Sequence, residues 1–365
     1  MKKTLFDQTQ IGGMKLKNRF FRSATYDGVA GEGGHWTEPL FQVYENLAKG
    51  GVGTIITGLT AVDGSEQLMP GQAGLYDDSF IGEYHQLAER VHAHGANIVV
   101  QLACLGSQSF YKKGSGKTLW GPSAVEDLAY KVTPNEMTKQ DILFVQEAFA
   151  AAALRAKQAG VDGVQLHAAH GYLLSKFLTP YYNRRNDEYG GSIENRARMT
   201  VETYRAVREK VGPEYPILVK INSEDYMDQG MTFAECRYVC QRLAELGINA
   251  VEVSGGSSSS RSNEGSARKI SPEQESYYKT YAAEIAKEIG VPVISVGGHR
   301  DFASLTEIVN ETPIAYIALC RPLIYENDLI TRWQNGDLGR AKCVSCNKCF
   351  RIGGTRCVFN KKAED

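Results

Sequence analysis

The chain has 365 residues, 42% of them hydrophobic, enough to bury a large core either as one big α/β barrel or as two domains. Its 41 Lys and Arg against 42 Asp and Glu give a formal net charge of −1, and with no basic tract neither nucleic acid nor an anionic membrane is an implied partner. There is no apolar run of transmembrane length, and the amino-terminal MKKTLFDQTQ turns polar before a signal-like stretch forms, so a cytoplasmic protein acting on a small molecule is expected.

In chain order, a hairpin-like start turned at Gly12-Gly13 leads to a first strand over 18–24. Apolar runs and helical patterns then alternate. Strands are predicted over 53–57, 97–102, 161–166, 217–221, 250–254, 291–296 and 315–319, and helices over 81–94, 138–159, 193–211, 233–246, 272–289 and 302–309. Thr232 with Glu235, and Ser271 with Gln274 plus Pro272, carry capping-box signals for two of the helices. The strands are continuous apolar runs, as parallel strands covered on both faces should be. Eight such units predict a (β/α)8 TIM barrel over 1–335, with its site at the C-terminal strand ends and a Cys-rich tail over 336–365. A doubly wound sheet is the rival, but no Gly-x-Gly-x-x-Gly turn follows the first strand. Residues 110–118 and 257–268 read as mobile; the second, SSSSRSNEGSAR, follows the sixth strand and is either a rim lid or an ordinary surface loop.

The connection over 167–196, HAAHGYLLSKFLTPYYNRRNDEYGGSIENR, is long for a strand-to-helix link, and such links are more often functional than idle. His167 and His170 leave the strand three residues apart, where two ring N–H groups can hold one developing oxyanion, and Tyr172 can supply a proton. The plainer readings are a metal pair, for which no third ligand has suitable spacing, and a tyrosine that only packs. At the seventh and eighth strands, Gly297-Gly298 in ISVGGH and Arg321 in ALCRP predict a phosphorylated ligand, because barrels often bind phosphate there.

The 167–196 stretch closely resembles the signature loop of the Old Yellow Enzyme family of FMN-dependent ene-reductases and NADH:flavin oxidoreductases, and a weaker similarity runs from about Leu5 to Tyr325. The resemblance implies FMN, reduced by NADH or NADPH, in the barrel mouth. It assigns Gln101 to the flavin's pyrimidine edge, Ala24, Thr25, Gly58 and Leu59 to the wall beside the ring, and Lys220 to the cation near the ring where arginine is usual. It assigns Gly256, Gly297, Gly298, Cys320 and Arg321 to the ribityl and phosphate shell. His167 and His170 match the pair that holds a substrate oxygen, and Tyr172 the proton donor. Tyr26, on the substrate side, stands where the family often carries a Cys or Thr that tunes the flavin, and Cys104 replaces a frequent histidine.

The tail reads CVSCNKCFRIGGTRC, with Cys343, Cys346, Cys349 and Cys357 spaced as an iron–sulfur or zinc candidate. It is similar to the cluster region of iron–sulfur flavoenzymes of the 2,4-dienoyl-CoA reductase type, with shorter spacing. The chain ends at Asp365, so a cluster relaying electrons is expected to have no second flavin to serve, and free thiols, a four-iron cluster and zinc all stay open. Two other readings also stay open: a flavin-free barrel lyase or aldolase with Lys220 as a Schiff-base lysine, and a redox- or metal-sensing protein using the tail. The oligomeric state is not fixed by the residues, although Arg321, the 257–268 loop and the tail are each candidates for a subunit contact in a homo-oligomer.

Overall fold

A strand of a parallel barrel buries both faces, and the apolar runs of this chain do so in a computed structural model that describes residues 2–110, 113–350 and 353–360. The strands are β1 (Phe20–Arg22), β2 (Thr54–Ile56), β3 (Asn97–Ala103), β4 (Gly163–Ala168), β5 (Ile217–Asn222), β6 (Ala250–Ser254), β7 (Val293–Ser295) and β8 (Tyr316–Leu319). Each pairs in parallel with the next, and β8 pairs with β1, so the sheet closes into a (β/α)8 barrel.

Helices α1 (Glu38–Lys49), α2 (Ile81–His92), α3 (Lys139–Gln158), α4 (Arg198–Val211), α5 (Phe233–Glu245), α6 (Lys279–Glu288), α7 (Phe302–Glu311) and α8 (Leu329–Gln334) follow the successive strands. The Thr232–Glu235 capping box forms as the residues predict. Helix α8 was not foreseen, and two further helical readings need correction. Helix α1 was not foreseen, although Leu40, Phe41, Tyr44, Leu47 and Ala48 make an apolar stripe behind the Thr37 cap. The helix expected over 272–289 is instead a single 3-10 turn, Pro272–Gln274, and then α6; Ser276 between them has φ of 57°, which no helix accommodates.

The barrel interior is apolar at one end and polar at the other. The antiparallel hairpin of Thr9–Ile11 and Met14–Leu16 lies across the N-terminal end, where Ile11, Met14 and Leu16 pack on the inward residues Phe21, Ile56, Val99, Leu218 and Ala250. Two residues further along their strands, inward positions become Ser23, Gln101, Lys220 and Glu252, all buried. The period of two along a strand therefore turns a hydrophobic plug into a polar floor within a few ångströms.

Past α8 the described tail has neither helix nor strand and straps over the C-terminal mouth. Ala341 N–H donates to Arg300 O at 2.8 Å, Asn347 Nδ2 to Ala267 O at 2.9 Å and Thr355 N–H to Asp27 O at 2.8 Å. Residues 351, 352 and 361–365 of the expected tail, and 111 and 112 of the expected 110–118 loop, lie outside the described residues. Among the described residues no helix is long and apolar enough to cross a membrane.

Candidate active site at the barrel mouth

The C-terminal strand ends enclose a cleft with about 1140 Å³ of empty space counted out to its open mouth. Of the residues singled out in the sequence, Ala24, Thr25, Tyr26, Leu59, Gln101, His167, His170, Tyr172, Lys220, Gly297, Gly298, Cys320 and Arg321 line this one cleft. Gly58 and Gly256 do not. A Cβ on Gly58 would come 2.6 Å from Thr25 O, and one on Gly256, at φ of 70°, would come 2.3 Å from Glu264 O. Both glycines shape the wall from behind by letting backbone approach backbone. Cys104 also stands off the cleft, its thiol donating to Glu66 Oε1 at 3.0 Å.

β4 runs two residues later than expected, so His167 lies within the strand, in register with Lys220 on β5. His170 follows at φ of 63°, an unusual conformation for a side chain this large, held by its N–H to Asn222 Oδ1 at 3.1 Å and by a 2.7 Å contact between its Nε2 and Ser254 Oγ. That turn brings the two imidazoles to 5.2 Å between centroids, nearly perpendicular, with the Tyr172 ring 4.7 Å from His167. His167 Nδ1 is buried with no hydrogen-bond partner in the protein. A buried polar atom in that state is either a cost or a reserved contact.

Burial, and then the nearby Lys220 cation, hold both imidazoles well below the usual histidine range, so each is neutral and offers one N–H. Burial likewise pushes the Tyr172 phenol up, keeping its proton in place. Leu59, Met69, Ala103 and Leu105 make an apolar patch against which Tyr26 and Tyr172 pack. The arrangement is two neutral donors and a neutral phenol grouped in one buried corner, fit to stabilise a developing oxyanion and to deliver a proton.

Beneath them lie residues that the sequence reading passed over. Lys220 Nζ donates to Ser23 Oγ at 2.7 Å and to Glu252 Oε1 at 3.0 Å, and Gln165 Nε2 donates to Glu252 Oε2 at 2.8 Å. The signal was present: a glutamine in GVQLHA and a glutamate in AVEVS interrupt runs that should otherwise be apolar.

The 257–268 loop is pinned, which corrects the expectation of a mobile segment. The Arg268 guanidinium sits 4.5 Å over Tyr226 and 4.9 Å over both Tyr277 and Tyr278, and Ser260 Oγ donates to Asp225 O at 2.5 Å. Ser266 and Ala267 thereby become part of the cleft wall. Arg321 donates to Arg268 O at 2.7 Å and to Asn347, so it joins loop, tail and cleft.

Cys343, Cys346, Cys349 and Cys357 line one small cavity together with Arg321 and Asn347. Yet among the described residues no group of three or more His, Cys, Asp or Glu is placed to hold a metal ion. Their thiols converge on one space without forming a ligand shell there. Burial pushes the Cys349 thiol up to about 11, which leaves it protonated.

Residues 4–338 match the family model described as NADH:flavin oxidoreductase / NADH oxidase. The chain belongs to that family. It is similar to an NADH oxidase of Thermoanaerobacter brockii, 32% identical over 98% of this chain and 56% of that protein. It is also similar to an NADPH dehydrogenase of Geobacillus thermodenitrificans, 36% identical over 81% of this chain and 84% of that protein. Among solved structures, the complex of 2-naphthoyl-CoA reductase with 2-naphthoyl-CoA superposes with a TM-score of 0.86 at 26% identity, covering 96% of this chain and 55% of the other. The chain thus spans about half the length of the first relative and most of the second. The stretch that matches the NADH:flavin oxidoreductase family takes in all eight strands and stops before the first tail cysteine.

Proposed function

We propose that this protein is an FMN-dependent oxidoreductase, using NADH or NADPH as reductant and an enone-type activated C=C as oxidant. The observation that carries the reading is the grouping of neutral His167, neutral His170 and neutral Tyr172 beside Lys220, with His167 Nδ1 left for a ligand. FMN, when bound, supplies hydride chemistry that no side chain can. Gly297, Gly298 and Arg321 would hold its phosphate, Gln101 its pyrimidine edge, and Lys220 would place positive charge where the reduced ring is anionic. Ala24, Thr25, Leu59 and Cys320 would wall the ring.

His167 and His170 then hydrogen-bond the oxidant's carbonyl oxygen, drawing charge away from the β-carbon. Tyr172 gives the α-carbon its proton, and Tyr26 borders the substrate. The role of Lys220 as a Schiff-base nucleophile is disfavoured, since its ammonium already donates to Ser23 and Glu252. For the tail cysteines the reading is free thiols, supported by a Cys-x2-Cys-x2-Cys-x7-Cys spacing shorter than that of the iron–sulfur flavoenzymes the tail resembles.

The test is a visible absorption spectrum of the purified protein before and after anaerobic NADH or NADPH. Flavin bands that bleach are expected; a colourless protein that takes up no added FMN would sink the proposal. A broad shoulder surviving the bleach would instead overturn the free-thiol reading of the tail. With Tyr172→Phe, bleaching should persist while enone turnover falls by roughly 10²-fold or more; unchanged turnover would remove Tyr172 from the chemistry.

A further inference from the structure

Under the cleft one unbroken run of hydrogen bonds crosses the barrel from β3 to β1. Gln101 Nε2 donates to Gln165 Oε1 at 2.8 Å, and Gln165 Nε2 donates to Glu252 Oε2 at 2.8 Å. The other carboxylate oxygen, Glu252 Oε1, accepts from Ser23 Oγ at 2.6 Å and from Lys220 Nζ at 3.0 Å. None of the five side chains belongs to a residue more than 3% exposed. Only Gln101, Lys220 and Ser23 reach the cleft wall; Gln165 and Glu252 do not.

The polarity of this run has one source. A carboxylate only accepts, so Gln165 must turn its NH2 group to Glu252 and its carbonyl to Gln101. Gln101 must in turn spend one N–H inward, which leaves its carbonyl oxygen and second N–H for whatever occupies the cleft. An amide in place of Glu252 could face either way, and the order of donors and acceptors two links away would no longer be forced. The same carboxylate is the counter-charge that fixes the Lys220 ammonium against Ser23.

We propose that Glu252 is a positioning residue that sets the donor–acceptor face Gln101 shows to the imide edge of a pyrimidine-type ring, while anchoring the Lys220 cation beside it. This rests on the FMN reading above, and deepens it. A role in folding alone would weaken every ligand alike. A polarity-setting role weakens discrimination, so the readout is a ratio.

The experiment measures binding of FMN, and of FMN methylated at N3, to the apoprotein by quenching of flavin fluorescence, with thermal unfolding recorded for each variant. Methylation removes the ring's imide N–H. The wild type should prefer FMN by about tenfold or more, the worth of roughly one hydrogen bond in a dry site. In Glu252→Gln that preference should shrink several-fold. Gln165→Leu cuts the relay but keeps the Lys220–Glu252 pair, so it should lose the preference too, and it decides the matter if Glu252→Gln fails to fold. Equal loss of both affinities, or an unchanged ratio, would overturn the inference while leaving the FMN reading standing. Wild-type apoprotein that binds neither flavin would bring down both.

Discussion

Glu66 is buried beneath the loop that follows β3, and it accepts from the N–H groups of Leu105 and Gly106 at 2.9 Å each and from the Cys104 thiol. Burial outweighs these donors and pushes its carboxyl up to about 7. A folded-state value above the unfolded one means that the native state holds the proton longer. The stability this proton confers is full below about 4.5 and is lost as pH rises through about 7, an effect of about 3 kcal/mol. Glu66→Gln has no such titration, so its stability relative to the wild type should improve by about that amount between pH 5 and pH 8. Urea unfolding midpoints at the two pH values measure this, and parallel behaviour of the two proteins would contradict it. Residues of this kind were the least legible in the sequence. His167 and His170 stand out by chemistry and spacing and Tyr172 by the family resemblance, whereas Glu66, Gln165 and Glu252 matter through partners 32 to 229 residues away.

At the scale of elements, the short helix Leu173–Leu178 leaves the histidine turn and carries Lys176 inward. Its ammonium pairs with Asp127 and lies 3.8 Å above the Tyr182 ring, with both ionic side chains almost wholly buried. Removing one partner leaves an uncompensated charge in a dry place. Asp127→Ala should therefore cost about 3–5 kcal/mol, while Asp127→Leu combined with Lys176→Met should recover most of it. Thermal unfolding of the single and double variants checks this; equal losses in both would show that the ion pair is not what holds the helix. The strands were legible because apolar runs bounded by polar turns have few alternatives in a chain of this length. Their edges were not, and β4 shows why: Val161 and Asp162 read as strand, yet only from Gly163 does the chain enter the ladder. A slip of two residues preserves which side faces inward, so the site survived the error.

The molecule as a whole reads as a barrel from composition and alternation alone, and the closed parallel sheet bears out that architecture. What alternation could not foresee is how the last stretch of chain returns to the first strand. Thr355 N–H meets Asp27 O next to Tyr26, and Asn347 and Ala341 fasten to the loops after β6 and β7, contacts spanning 328 residues of sequence in the first case. The mouth is thus built by both ends of the barrel sequence, with the irregular tail serving as one of its walls.

The apolar hairpin across the opposite end has a kinetic meaning as well as a structural one. With Ile11, Met14 and Leu16 stoppering the N-terminal end, the cleft that Gln101, Lys220 and the two histidines line opens, among the described residues, at the C-terminal mouth. On the proposed chemistry, a nicotinamide and an oxidant cannot queue from opposite sides. They would share one approach, so an excess of either is expected to obstruct the other.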